Sequence, residues 1–164
     1  MTAPLDVRAR AIARNVLGAG AFAHAERVAG SFTGAQERAV AYLHDVLEDS
    51  DLTESELRPL VGDDGVVDAV VELTWVDGER YADYVERVRG GSRLAVHVTV
   101  AGLRDNLARE PRRGDLARRP ERALRSLLEA VGPRCEHCGA STAWPVPSGS
   151  ACTCTDASGA ALPT

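Results

Sequence analysis

The sequence predicts an all-α fold, and three observations carry it. Apolar residues recur at spacings of three and four through most of the chain, as in Ala39, Val40, Leu43, Val46 and Leu47. Helix-start chemistry precedes several of these runs: Thr33 with Gln36, and Thr53 with Glu56, fit the capping-box pattern. One stretch, Leu94 to Val100, alternates like a strand, but no second convincing strand exists to pair with it. It therefore reads as helix, running on into Leu103 to Leu107.

In chain order, Pro4 opens a first helix carrying Leu5, Ile12, Val16 and Leu17, with Gly18 and Gly20 as its stop. A short second helix spans Phe22 to Ala29 and closes at Gly30. Thr33 caps a central helix that extends to about Glu48. Thr53 then caps a helix reaching about Leu60, blunted by Pro59. Asp63 or Asp64 caps the next, through Val66, Val67, Val70, Val71 and Leu73; its valines are poor helix formers, yet their spacing favours helix. Asp77-Gly78 breaks the chain, and Tyr81 to Val88 forms another short helix before Gly90-Gly91. A last amphipathic helix lies within Asp115 to Val131, with Pro120 placing its true start later than Asp115.

Composition narrows the function. The chain has 164 residues, enough for one domain with a real core. That domain is assigned to 1–131, and a tail rich in Ser, Pro, Gly, Thr and Cys to 132–164. A net charge of −5 argues against a nucleic-acid partner held by charge alone. All nineteen basic residues are arginine. The first twenty residues lack the continuous apolar core of a signal peptide, and no apolar run approaches a membrane span. A cytoplasmic protein with no membrane partner is expected; a homo-oligomer is compatible with the sequence.

Two clusters carry chemistry. In the central helix, His44-Asp45 is followed one turn later by Glu48-Asp49, so that on a regular helix His44 stacks over Glu48 and Asp45 over Asp49. A half-buried His-Asp doublet beside Leu43 and Leu47 needs partners. In the tail, Cys135 and Cys138 form a C-x2-C knuckle, and Cys152 and Cys154 a C-x-C, separated by thirteen residues, 139–151. Four thiolates so spaced suit tetrahedral zinc in a closed structural site. All four cysteines lie in this tail, which points to a local site and not a disulfide framework. His97, in a valine-rich segment, is expected to pack. Tyr81, Tyr84, Arg80 and Arg87 read either as a substrate mouth or as a helix with its aromatic face buried.

A histidine on an upstream helix (His24), the doublet His44-Asp45 with Glu48-Asp49, and the helix ending Val98-Thr99-Val100-Ala101-Gly102-Leu103-Arg104-Asp105-Asn106-Leu107 follow one another at a distinctive interval. In that order they resemble the HD superfamily of metal-dependent phosphohydrolases, and in particular the small helical subgroup that includes the hydrolase half of the alarmone (p)ppGpp enzymes. The resemblance covers about Ala11 to Val131 and is most specific over Tyr42 to Thr53. It implies that His24, His44 and Asp45 ligate one divalent metal, manganese or iron, and that Glu48 and Asp49 position and activate the attacking water. It also implies that Asn106 lies near the metal ligand. Apart from the resemblance, Asp105 lies one turn beyond Gly102 on the same helix, from where it could reach back directly or through a water.

This chain departs from the family at Gly102, where the family carries a fourth, aspartate ligand, and at Thr99, where it carries lysine. The basic, glycine-containing stretch that precedes the first histidine in alarmone hydrolases is also missing, so guanine recognition does not carry over. Two functions follow as expectations. One is hydrolysis of a phosphate ester or anhydride of a small, nucleotide-like molecule. The other is a degenerate domain that binds a nucleotide or a protein partner without turnover. A third possibility, an interaction module, rests on the cysteine tail alone.

Overall fold

A computed structural model describes residues 3–109 and 115–131, with side-chain surroundings in the last helix given for 119–130. Among the described residues there are helices and no strand, so the all-α prediction holds. They are α1 (Leu5–Val16), α2 (Ala19–Ala29), α3 (Ala35–Leu43), α4 (Val46–Asp49), α5 (Glu54–Val61), α6 (Asp64–Leu73), α7 (Tyr81–Arg89), α8 (Arg93–Arg109) and α9 (Asp115–Val131).

α3 is the axis of the bundle. α1 and α2 pack along it, and α6 and α8 close its other sides. Its last five residues, Ala39 to Leu43, are all buried. Small residues at these contacts (Ala9, Ala13, Ala25, Ala29, Ala39, Ala41) let the helix axes approach closely, while Leu43, Leu57, Val40, Val67 and Val96 fill the space between them.

α8 explains the alternation that imitates a strand. Ala95, Val96, His97, Val98 and Val100 are all buried, because α2, α3, α6, α7 and α9 surround this helix. A helix apolar on every side carries no 3.6-residue stripe, so its valines are free to fall into a period of two by chance. The expected packing role of His97 holds, with its ring only 8% exposed.

The capping signals split. At α5, the Thr53 backbone N–H and hydroxyl both donate to Glu56 Oε2, at 2.9 and 2.6 Å. Asp63 Oδ1 accepts from the Val66 N–H at 3.1 Å and caps α6. The Thr33–Gln36 box does not form. Gly34 is the cap residue of α3, and Gln36 Nε2 donates instead to Asp63 Oδ2 at 3.3 Å, a tertiary bond that outcompetes the local one.

Three helix limits also differ from expectation. Gly18 does not merely stop α1 but starts α2, which begins at Ala19 with Gly20 inside it. α5 runs two residues past Pro59 and ends at Gly62, whose φ of +67° is the left-handed cap that glycine adopts without strain. α9 begins at Asp115 and continues through Pro120, whose fixed φ suits a helix and whose missing N–H removes one bond without ending it. The fourth difference, at His44-Asp45, shapes the site.

Candidate metal centre

The central helix does not run to Glu48. It ends at Leu43, turns through His44 and Asp45, and resumes as the single turn α4. Asp45 has φ −99° and ψ −1°, the bridge region where turn and active-site residues concentrate. The interruption gives His44 a fixed pose. Its Nδ1 lies 2.8 Å from the carbonyl of Ala41, one of those left without an intrahelical partner at a helix end. A carbonyl only accepts, so Nδ1 carries the proton and the neutral ring turns its Nε2 lone pair toward Asp45 Oδ1, 3.3 Å away.

His24 on α2 is set in the same manner by α8. Its Nδ1 meets Asp105 Oδ2 at 2.8 Å. Asp105 also accepts from Arg27 Nε and Nη2, at 2.9 and 2.8 Å, and from Arg109 Nε at 3.0 Å. These partners, Arg27 first, hold its carboxyl well below the usual carboxylate range, so it remains an acceptor and Nδ1 again carries the proton. Asp105 therefore does not reach into the centre; it fixes the tautomer and tilt of His24 from behind, as carboxylates commonly do for metal-binding histidines. If these groups hold a metal, Asp105→Ala is expected to weaken its binding about 10- to 100-fold, measured by competition with a fluorescent chelator on variants whose helical circular dichroism is unchanged.

The result is convergence of three groups from two separate segments. One ligand atom from each of His24, His44 and Asp45 lies within 4.8 Å of the others, and the two imidazole rings stand edge-on with centroids 5.1 Å apart. Gly102 faces the same point: a Cβ built there would lie 3.9 Å from His24 Nε2 and would meet nothing else. Burial pushes the His44 pKa down despite the pull of Asp45, which favours the neutral ring, the form that is able to ligate a metal.

These residues open onto a cavity of about 340 Å³. Glu48, Thr99, Gly102, Leu103 and Asn106 line it, together with an aromatic wall of Trp75, Tyr81 and Tyr84. Glu48 Oε1 accepts from the Trp75 backbone N–H at 2.6 Å, and partial burial raises its pKa above the ordinary glutamate value. Asp49 goes elsewhere. It lines an adjacent depression with Val16, Glu48, Ser50, Asp51, Leu52 and Glu56, and its charge still acts on His44 and Glu48. Thus the structure brings together His24, His44, Asp45, Glu48 and Asn106, puts Asp105 behind them, and sets Asp49 to one side.

Tyr81 and Tyr84 do line the cavity. Arg80 instead pairs with Asp83, and Arg87 with Glu79. Burial pushes the Tyr84 hydroxyl up to about 12, so it stays protonated. Trp75 was not singled out by sequence reasoning; its position just after an amphipathic helix, two residues before Asp77-Gly78, was the available signal. The expected boundary at 131/132 and the zinc ligands Cys135, Cys138, Cys152 and Cys154 lie outside the described residues. Among the described residues no helix is long and apolar enough to cross a membrane. No protein-family model matches the chain, and comparison with curated proteins gives no significant match.

Proposed function

We propose that this chain is an HD-type metal-dependent phosphohydrolase acting on a phosphate ester or anhydride of a small molecule. The observation that carries this reading is the pair His44 Nε2 and Asp45 Oδ1, 3.3 Å apart with His24 beside them. A carboxylate oxygen and the lone pair of a neutral imidazole repel at that distance unless they share a proton or a metal ion. Burial disfavours a proton on His44, and two imidazoles with one carboxylate suit a divalent transition ion with open positions. Such an ion, manganese or iron, would lower the pKa of water and neutralise charge building on phosphate oxygens.

The remaining roles belong to the chain. Glu48, at the cavity edge and held by the Trp75 N–H, takes the proton of the attacking water. Asn106, which lines the cavity, donates to a phosphate oxygen in this reading. Among the described residues no Arg side chain lines the cavity, and Asp45 and Glu48 would repel a phosphate, so substrate entry depends on the cation being present. A second reading, a binding module without turnover, is favoured by Gly102, which withholds a side-chain ligand from the open face of the centre. Zinc in the cysteine tail remains a separate proposal.

The test is metal analysis of the full chain after manganese supplementation, alongside His44→Ala, with hydrolysis of p-nitrophenyl phosphate and nucleoside phosphates. About one equivalent of manganese or iron, lost in His44→Ala together with hydrolysis, supports the enzyme. Metal without hydrolysis supports the binding module. Equal metal content in both proteins would refute the centre, and zinc surviving in His44→Ala but lost on removing 132–164 would belong to the tail.

A further inference from the structure

Trp75 presents an indole 37% exposed at the rim of a cavity whose other aromatic residues are half-buried. Its ring stacks on Tyr84, with centroids 5.0 Å apart and planes 27° from parallel, and on Tyr81 at 6.1 Å and 20°. The two tyrosines stack on each other at 6.3 Å and 28°. Three rings thus lie nearly parallel, drawn from α7 and from the loop after α6.

The stack is anchored from behind. The Arg87 guanidinium lies 5.4 Å from the Tyr84 ring centroid. That guanidinium is itself held by Glu79, at 2.8 and 2.7 Å, and by the carbonyls of Glu72 and Thr74, at 2.6 and 3.0 Å. A pinned cation backs a tyrosine, which backs the exposed indole. The platform is preorganised, and aromatic surface left open beside convergent polar groups is the usual make-up of a ligand contact.

The same tryptophan touches the chemistry, since its backbone N–H holds Glu48. All three rings line the cavity that contains His24, His44 and Asp45. Its volume, about 340 Å³, is at the lower end for small-molecule sites, enough for one ring system with a sugar phosphate. Among the described residues no Arg side chain lines the cavity to grip an anionic or sugar-rich organic part, so a flat π-face is the recognition element on offer.

We propose that Trp75, backed by Tyr84 and Tyr81, is the specificity contact of this cavity and stacks the flat heteroaromatic ring of a nucleoside phosphate. The phosphate end of this assignment rests on the phosphohydrolase reading; the ring end rests on the platform alone. Stacking tolerates different bases, because every base has a π-face. The site should therefore prefer nucleotides to sugar phosphates without strong preference among purines.

Calorimetric titration of the full chain, with manganese present, tests this with adenosine 5′-monophosphate, ribose 5-phosphate and adenosine as probes. The wild type is expected to bind the nucleotide at least about ten-fold tighter than the sugar phosphate. Trp75→Leu is expected to lose roughly 5- to 150-fold of nucleotide affinity, closing that gap, while Trp75→Phe keeps a flat ring and most of the preference. Equal binding of nucleotide and sugar phosphate to the wild type, or a gap that survives in Trp75→Leu, would overturn the proposal. Binding of adenosine that depends on Trp75, with no contribution from phosphate, would support the platform and refute the hydrolase. Phosphate-dependent binding indifferent to the base would do the reverse.

Discussion

Gly102→Asp is expected to tighten manganese binding by about two orders of magnitude, because charge count among oxygen ligands is a strong lever on divalent-ion affinity. The geometry permits the substitution. An added Cβ meets no backbone and comes no nearer than 3.9 Å to His24 Nε2, ordinary van der Waals contact. From that point on α8 a carboxylate faces the ligand atoms of His24, His44 and Asp45. Replacing glycine inside a helix also removes a backbone-entropy cost of a few tenths of a kcal/mol, so folding should not suffer. Chelator competition measures the affinity, and hydrolysis measured on the same samples separates two meanings of the glycine. If it merely weakens a catalytic site, affinity and turnover rise together. If it keeps open a position that substrate must occupy, affinity rises and turnover falls. An unchanged affinity would mean that a carboxylate at 102 does not reach the bound metal.

What was legible in the sequence follows from how local each determinant is. The all-α class was legible because spacing and caps at Thr53 and Asp63 are short-range, and because a strand at Leu94 to Val100 had no partner. The convergence of His24 with His44-Asp45 was expected only through the family resemblance; nothing local says that α2 places its histidine beside the end of α3. Sequence reasoning treated His44 to Asp49 as one continuous turn. At the break at 44–45 the His44 ring folds back onto the Ala41 carbonyl, and no periodicity encodes it. Adjacent residues on one helical turn point about 100° apart, so Glu48 lines the cavity while Asp49 lines the neighbouring depression. The Arg27–Asp105–His24 chain was equally hidden, since it joins residues about eighty positions apart. Trp75 escaped because one aromatic after a helix carries no pattern; only the tertiary stack on Tyr84 and Tyr81 gives it meaning.

If Glu48 is the general base of the proposed hydrolysis, Glu48→Gln is expected to lower kcat by about 10²- to 10⁴-fold, with metal content unchanged. Glutamine is the informative substitution. Its amide oxygen can still accept from the Trp75 N–H, so the loop after α6 keeps its anchor, and only the capacity to take a proton is lost. The pH behaviour distinguishes this role from a structural one. In the metal-free protein, burial raises the Glu48 pKa above its ordinary value of 4.5, with Asp45 and Asp49 pushing in the same direction. A raised folded-state value means that the protonated form is favoured by folding: that stabilisation is complete below the unfolded pKa and is lost as pH rises through the folded one. At neutral pH the ionised side chain is thus a small burden on the fold, lightened by its exposure. Glu48→Gln should accordingly raise the melting temperature of the metal-free protein slightly at pH 7 and not at pH 4, while removing the acid limb of the rate profile. Stability that drops at pH 7, together with a rate reduced equally at every pH, would place Glu48 among the groups that hold the loop. The chemistry would then have to be sought at Asp45.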